Sequence, residues 1–243
     1  MTIRGMPARD RLIVALDVNS RDRALSLVSA LRPRVSLFKV GMELFTACGP
    51  PLVRDILKGG GRVFLDLKFH DIPNTVARAC VEAARLGVAM CTIHLSGGDL
   101  MARRAVDEVE AHCQIYRLPK PKLLGITVLT SLRQEDLDRI GVRRPLDDQV
   151  AALAEVARAA GLDGVVASAR EVGRVREVCG RDFLIVTPGI RPPGSEAHDQ
   201  ARTRTPREAI EAGADCIVVG RPVIGAQDPL AAAEAILLQM DGL

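Results

Sequence analysis

The chain has 243 residues, of which 48% are hydrophobic and 26% are charged, and its formal net charge is only +3. This balance is typical of a globular protein, and one Tyr with no Trp argues against a nucleic-acid-binding surface built on aromatic stacking. No apolar run reaches the ~18 residues that cross a bilayer, so we expect no membrane segment. The six cysteines form no Cys-x-x-Cys pair, which indicates free thiols in a cytoplasmic protein, and the four histidines have no metal-ligand spacing.

Strand-like and helix-like segments alternate through the first half of the chain. Continuous apolar runs are typical of strands that are buried on both faces. Such runs predict strands at residues 12–18, 36–42, 63–69 and 89–96. The segments between them carry helix caps and glycine stops and predict helices at residues 21–31, 50–58, 73–86 and 99–113.

The same alternation continues to the end of the chain. Further strands are predicted at residues 123–130, 164–168, 183–187 and 216–220. Helices are predicted at residues 134–140 (a short extra one), 146–160, a segment ending at Cys179, 205–212 and 229–240. Thr205 can cap the helix that starts beside it, and Pro206 suits the first turn of that helix.

Strict alternation of strands and helices predicts a parallel sheet with right-handed crossovers. Eight such units in a chain of this length indicate an α/β protein with the (β/α)₈ (TIM) barrel architecture. No linker divides the chain, so residues 1–243 are expected to form a single domain. A doubly wound open sheet is the alternative, but its Gly-x-Gly-x-x-Gly fingerprint is absent after the first strand.

An Asp-x-Lys-x-x-Asp motif ends the third predicted strand and leads into a helix at Pro73. Alternate residues of a strand point to opposite faces, which would place Asp66 and Lys68 together, and Asp71 follows where the strand ends. Each charge buried there must be paired and hydrogen-bonded. The motif therefore indicates either a reactive site or a structural ion pair without chemistry.

Other polar residues also follow the predicted strands at their carboxyl ends, where the active site of a barrel lies. These residues are Asp17, Lys39, Asp66, Lys68, Asp71, Thr127, Thr130, Ser131, Arg191, Gly220 and Arg221. Each has a simpler interpretation: Asp17 can cap a helix, and Lys39 can extend its ammonium group to the rim. Their shared location favours one site instead. The long Gly- and Pro-rich loop after strand seven, together with Gly220 and Arg221, suits a phosphorylated small molecule and a functional lid.

Several short motifs together resemble the orotidine 5′-phosphate decarboxylase family, of the shorter bacterial type. The stretch from Asp66 to Thr75 is the most specific of them. The others are Ala15–Asp17, Phe38–Gly41, Thr127–Ser131, Thr187–Pro192, Asp199–Gln200 and Val219–Pro222. The resemblance runs nearly from end to end, and the differences lie around residues 194–204 of the loop. It also implies the barrel fold.

The resemblance implies that orotidine 5′-monophosphate loses CO₂ to give UMP, in the last step of pyrimidine synthesis, without metal or organic cofactor. It implies a network of alternating charges made of Lys39, Asp66, Lys68 and Asp71. In that network Lys68 would donate a proton to C6 of the pyrimidine, and Asp66 would lie near the departing carboxylate. Asp71 and Thr75 would reach into the site of a partner subunit, so that a homodimer would share its sites.

The resemblance also implies which residues hold the substrate. Asp17 and Lys39 would bind ribose hydroxyls, and Thr130 would contact the pyrimidine. Gln200 would bridge base and phosphate. The residues implied to bind phosphate are Arg191, Gly220 and Arg221.

Three other functions stay open at this point. The same motif occurs in barrels similar to 3-keto-gulonate-6-phosphate decarboxylase and hexulose-phosphate synthase, in which carboxylates serve Mg²⁺. A Schiff-base aldolase would use Lys39 or Lys68 as its nucleophile. The non-enzymatic alternative is a phosphate-binding barrel that has lost its catalytic activity.

Overall fold

The computed structural model describes residues 7–192 and 204–241, and within them eight β-strands alternate with eleven α-helices. The strands β1 to β8 are Leu12–Ala15, Leu37–Gly41, Arg62–Phe69, Met90–His94, Lys122–Ile126, Gly164–Val166, Leu184–Thr187 and Cys216–Val219. The helices α1 to α11 are Ala8–Arg11, Arg21–Leu31, Met42–Lys58, Pro73–Arg85, Asp99–Tyr116, Gln134–Arg139, Leu146–Ala159, Val172–Cys179, Pro206–Glu211, Arg221–Ile224 and Pro229–Asp241.

The strands close into a barrel in chain order, and β8 pairs in parallel with β1. The pairing of Ile13 with Val218 lies at this closure. The predicted (β/α)₈ barrel is therefore confirmed, and the alternative of an open sheet is wrong. The single domain over residues 1–243 stays a prediction, because residues 1–6, 193–203 and 242–243 lie outside the described part of the chain.

Apolar side chains fill the barrel interior and the layer between strands and helices. Inside the barrel, Ile13, Phe64 and Leu124 belong to one cluster of buried side chains. Val14 and Leu65, one residue further along their strands, belong to the outer cluster beneath the helices. This alternation is why the strands read as continuous apolar runs. The apolar filling gives way to polar side chains at the carboxyl ends of the strands.

Several strands end earlier than predicted. β1 ends at Ala15 and β5 ends at Ile126, so Asp17 and Thr130 lie in loops above the barrel rather than in strands. Periodicity does not mark these ends, because an apolar or polar residue can follow the last ladder hydrogen bond equally well.

Three helical segments were not predicted. The predicted helix at residues 50–58 is the second part of α3, which starts at Met42 and kinks at Gly49, where φ is 62°. Only glycine adopts such a backbone angle at little cost, and the two prolines that follow cannot donate to the preceding turn. The short helices α1 and α10 were also missed, because four residues are too few to show a helical period.

The described helices do not include one that is long and apolar enough to cross a membrane. All six cysteines lie in the described part of the chain, and all six are free thiols, as expected from their spacing. Burial raises the pKa of Cys216 to about 12 and that of Cys179 to about 11, so both thiols stay protonated and unreactive near neutral pH.

A largely buried ion pair, with side chains 18% and 13% exposed, ties α8 to the amino-terminal end of the barrel. Arg176 donates hydrogen bonds to the carbonyl oxygens of Gly213 and Phe183 and to the carboxylate of Asp215. The same carboxylate accepts a hydrogen bond from the backbone N–H of Ile185. The arginine therefore satisfies several backbone groups as well as one charge, at the end of the barrel opposite to the polar side chains.

Replacing Arg176 by methionine should destabilise the protein by about 3–5 kcal/mol, because the Asp215 carboxylate would lose its opposite charge in a buried position. Its matched control is Arg174→Met on the same helix, which removes exposed pairs with Glu177 and Asp148 and should cost at most about 1 kcal/mol. Urea unfolding of the two variants gives the comparison. Equal losses would contradict the structural importance of the Arg176 pair.

Candidate active site

The polar residues at the carboxyl ends of the strands surround one cavity of about 440 Å³. Ile126, Val166 and Val218 form part of its apolar wall. Eight residues that were predicted from the sequence also line it: Asp17, Lys39, Asp66, Lys68, Thr130, Arg191, Gly220 and Arg221. A volume of this size suits a small-molecule ligand. The structure thus brings these eight residues together, and the role of each stays a prediction.

Acidic and basic side chains alternate across the floor of the cavity. Lys39 Nζ lies 3.0 Å from Asp17 Oδ1 and 3.9 Å from Asp66 Oδ2. Lys68 Nζ donates to the same Asp66 oxygen at 2.9 Å. We call these four residues the charge cluster. Each charge in it faces an opposite one, which offsets the cost of burial for Asp66 and Lys39, whose side chains are 11% and 13% exposed, whereas Asp17 is half exposed.

Lys68 reaches the charge cluster from an irregular part of β3. Leu65 pairs with Cys91 and Phe69 pairs with Ile93, so the register with β4 shifts between these two pairs. Lys68 lies in the shifted segment with a φ of 51°. Asp66 and Lys68 do meet, as expected. The reason that was expected, regular strand alternation, is wrong. A β-bulge, rather than the regular pleat, aims the lysine into the cavity.

Thr92 of β4 is a functional candidate that the sequence analysis missed. Its side chain is fully buried, accepts a hydrogen bond from the Lys68 backbone N–H at 2.9 Å and donates to Asp66 Oδ1 at 3.0 Å. A polar residue in the middle of the apolar run at residues 89–96 was the available signal. It carried little weight because threonine is common in strands.

Asp71, Thr75 and Gln200 do not join the cavity of the same chain. Asp71 is exposed just after β3, and its carboxylate accepts from the N–H of Ile72 at 2.6 Å. Thr75 is exposed in the first turn of α4, and neither residue lines the cavity. Gln200 and most of the predicted lid lie outside the described residues.

Two arginines and a glycine form the far side of the cavity. Arg191 follows β7, and its backbone N–H donates to the carbonyl of Arg204 at 2.9 Å. Gly220 follows β8, and a Cβ atom placed on it would lie 3.0 Å from Asp17 Oδ2. A side chain at position 220 would therefore have to displace the Asp17 carboxylate slightly. Arg221 comes next in the chain and lines the same cavity.

Two histidines stack beside the charge cluster. The rings of His70 and His94 have centroids 5.4 Å apart, and the Ser96 hydroxyl lies 2.8 Å from His94 Nδ1. Burial lowers the pKa of His94, and the nearby His70 and Lys68 lower it further. His94 is therefore neutral near pH 7 and adds no positive charge beside Lys68. Within the described parts of the chain, no three His, Cys, Asp or Glu side chains are grouped to hold a metal ion.

Comparison with known proteins agrees with this geometry. A family model described as "Orotidine 5′-phosphate decarboxylase / HUMPS family" matches residues 10–236. The chain belongs to this family. The resemblance read from the short motifs is thereby confirmed at the level of the family.

Relatives in this family match over nearly the whole chain. The orotidine 5′-phosphate decarboxylase of Syntrophotalea carbinolica is 54% identical over 233 residues, which are 96% of each chain. The protein of the same name from Moorella thermoacetica is 50% identical over 97% of this chain and 94% of its own. Both carry the first of the two names in the family description.

Solved structures of the same fold are also similar. The orotidine 5′-phosphate decarboxylase of Lactobacillus acidophilus is 40% identical, with a TM-score of 0.85, over 96% of this chain and all of that one. An uncharacterized conserved protein from Geobacillus kaustophilus is 36% identical, with a TM-score of 0.82, over 95% of this chain and all of its own.

Proposed function

We propose that the protein decarboxylates orotidine 5′-monophosphate to UMP in pyrimidine biosynthesis. The observation that carries the proposal is the charge cluster on the floor of the cavity, in which Lys68 Nζ lies 2.9 Å from Asp66 Oδ2. Membership of the orotidine 5′-phosphate decarboxylase family supports the same reaction.

The chemistry explains the need for a lysine at this place. When the bond from C6 to the carboxylate breaks, CO₂ leaves and the electron pair stays on C6, where the ring cannot delocalise it. A fixed ammonium group next to C6 stabilises that charge as it develops, which is usually the largest contribution to catalysis. Lys68 then gives its proton to C6, UMP forms, and the amine takes a new proton from solvent. Asp66 lies near the departing carboxylate in this proposal.

The remaining cavity residues are assigned to substrate binding. Asp17 and Lys39, 3.0 Å apart, hold the ribose hydroxyls, and Thr130 contacts the pyrimidine. Gln200 is assigned to bridge the pyrimidine base and the phosphate. The phosphate ligands are Arg191, Gly220 and Arg221. Guanidinium groups suit this role because they bind phosphate through two parallel hydrogen bonds. Phosphate binding far from C6 can assist the reaction by driving closure over the substrate.

A homodimer with shared sites accounts for Asp71 and Thr75. Both are exposed and lie outside the cavity of their own chain, which leaves them available to a partner's site. Met42, Ile72 and Leu100 follow three neighbouring strands at the same end of the barrel and are 56%, 67% and 67% exposed. Exposed apolar side chains of this size suit a protein interface. We therefore assign this end of the barrel to contact with a second copy.

The competing Mg²⁺ chemistry fits the charge cluster less well. Asp66 Oδ1 accepts from Thr92, and Asp66 Oδ2 lies close to both Lys68 and Lys39. A divalent cation bound to Asp66 would have to displace or face two ammonium groups. The Schiff-base reaction needs a free amine, whereas Lys39 and Lys68 are each held in an ion pair, at 3.0 Å from Asp17 and 2.9 Å from Asp66.

Purified protein in EDTA should consume orotidine 5′-monophosphate, which is followed as a loss of absorbance. EDTA should leave the rate unchanged, and borohydride should trap no adduct on a lysine. Absence of turnover, followed by Mg²⁺-dependent activity on a keto-sugar phosphate, would contradict the proposal and reassign Asp66 as a metal ligand. UMP binding without any turnover would instead support a barrel without chemistry. The cytoplasmic location stays a prediction from the sequence.

A further inference from the structure

The bulge in β3 leaves the backbone of Lys68 outside the regular ladder. Four steps along β3, from Leu65 to Phe69, lie opposite two steps along β4, from Cys91 to Ile93. Lys68 has a φ of 51°, a strained conformation for a residue other than glycine, which needs support from its surroundings. The backbone N–H of such a residue also needs a partner that the ladder no longer supplies.

Thr92 is the residue of β4 that lies between the two paired positions, directly opposite the bulge. Its hydroxyl oxygen accepts the Lys68 backbone N–H at 2.9 Å, in place of a ladder carbonyl. The hydroxyl has one proton, which it donates to Asp66 Oδ1 at 3.0 Å. The side chain is fully buried, so water does not compete for either bond.

One hydroxyl therefore holds both members of the Asp-x-Lys unit. It fixes the backbone from which Lys68 extends, and it fixes the Asp66 carboxylate so that Oδ2 faces the Lys68 ammonium group at 2.9 Å. Loss of the hydroxyl would leave a buried N–H and a buried carboxylate oxygen without this partner. The lysine and the carboxylate would then lose their common anchor while the rest of the cavity stayed intact.

We propose that Thr92 is a positioning residue, which sets the place of the Lys68 ammonium group relative to Asp66 in the decarboxylation. This inference rests on the proposed function. Thr92 lies on β4, outside the Asp66–Asp71 motif, and does not line the cavity, so it acts through its two neighbours rather than on the substrate. Because the ammonium group must lie within reach of C6, displacement by about 1 Å is expected to lower kcat about 100-fold.

Thr92→Val tests the proposal, because valine keeps the shape of the side chain and removes the hydroxyl. We expect kcat for orotidine 5′-monophosphate to fall about 10- to 100-fold, with KM changed less than about threefold, since the residues that hold the substrate are untouched. Thr92→Ser restores the hydroxyl and should return kcat to within about threefold of wild type. The matched control is Ser36→Ala, which removes a partly buried hydroxyl that donates to the Asp10 carboxylate at 2.6 Å, just before β2 at the opposite end of the barrel. It should lose stability with kcat unchanged.

The outcomes separate this inference from the proposed function. Wild-type protein that fails to consume orotidine 5′-monophosphate would overturn the proposed function and this inference with it. An active wild type with equal kcat values for Thr92→Val and Ser36→Ala would overturn the inference alone, as would a serine variant as slow as the valine variant. If Thr92→Val does not fold, Thr92→Cys replaces it: its thiol is a weak hydrogen-bonding group. A wild-type kcat in that folded variant would also overturn the inference.

Discussion

Replacing Lys68 by alanine should lower kcat for orotidine 5′-monophosphate by about 10⁴-fold or more, because one side chain supplies both the charge that stabilises the C6 carbanion and the proton that ends the reaction. Its ammonium group is held at 2.9 Å from Asp66, in the same cavity as the two arginines assigned to phosphate. Steady-state turnover by absorbance measures the loss. Calorimetric titration with UMP should show that binding persists, since the assigned ribose and phosphate ligands remain.

Two further variants are controls for the loss of kcat in Lys68→Ala. Lys58→Ala removes a lysine from the exposed end of α3 and should leave kcat unchanged. Lys68→Arg keeps a positive charge but does not release a proton near neutral pH, so it should remain at least about 10²-fold slower than wild type. Activity of Lys68→Ala within tenfold of wild type would contradict the role of Lys68 as proton donor.

Mixing the inactive variants Asp66→Asn and Asp71→Asn should restore turnover if two subunits share each site. Asp66 lies in the cavity of its own chain, whereas Asp71 is exposed and outside it. In a mixed dimer one site receives both substitutions and the other receives neither. Equal mixing and random exchange should therefore recover roughly a quarter of wild-type activity, because half of the dimers are mixed and each holds one intact site.

Each variant alone should be slower than wild type by about 10²-fold or more, since each removes a charge from the network proposed around Lys68. Subunit exchange is followed by native mass spectrometry with one variant carrying a tag. The control mixes two samples of Asp66→Asn that differ only in the tag, and it should recover no activity. A mixture that exchanges subunits but stays inactive would show that Asp66 and Asp71 act from the same chain.

The sequence by itself determined the barrel and the charged and polar side chains that line the cavity. Local burial sets the period of a strand or helix, so the order of elements was readable from apolar runs such as residues 12–18 and from caps such as Thr205, whose hydroxyl accepts from the Glu208 N–H in the structure. The carboxyl ends of parallel strands meet at one end of a barrel. Polar residues after successive strands could therefore be assigned to one site before any distance was known.

Only the tertiary structure decided how Asp66 and Lys68 meet and what holds them. A bulge depends on how two strands pair, and the bond from Thr92 to Asp66 joins residues 26 positions apart in the chain. No local period records such a contact. The same reason applies to Asp71, which belongs to the motif in the chain but is exposed and does not line the cavity that Lys68 lines. Sequence patterns report which face of an element is buried, whereas the site depends on which elements meet.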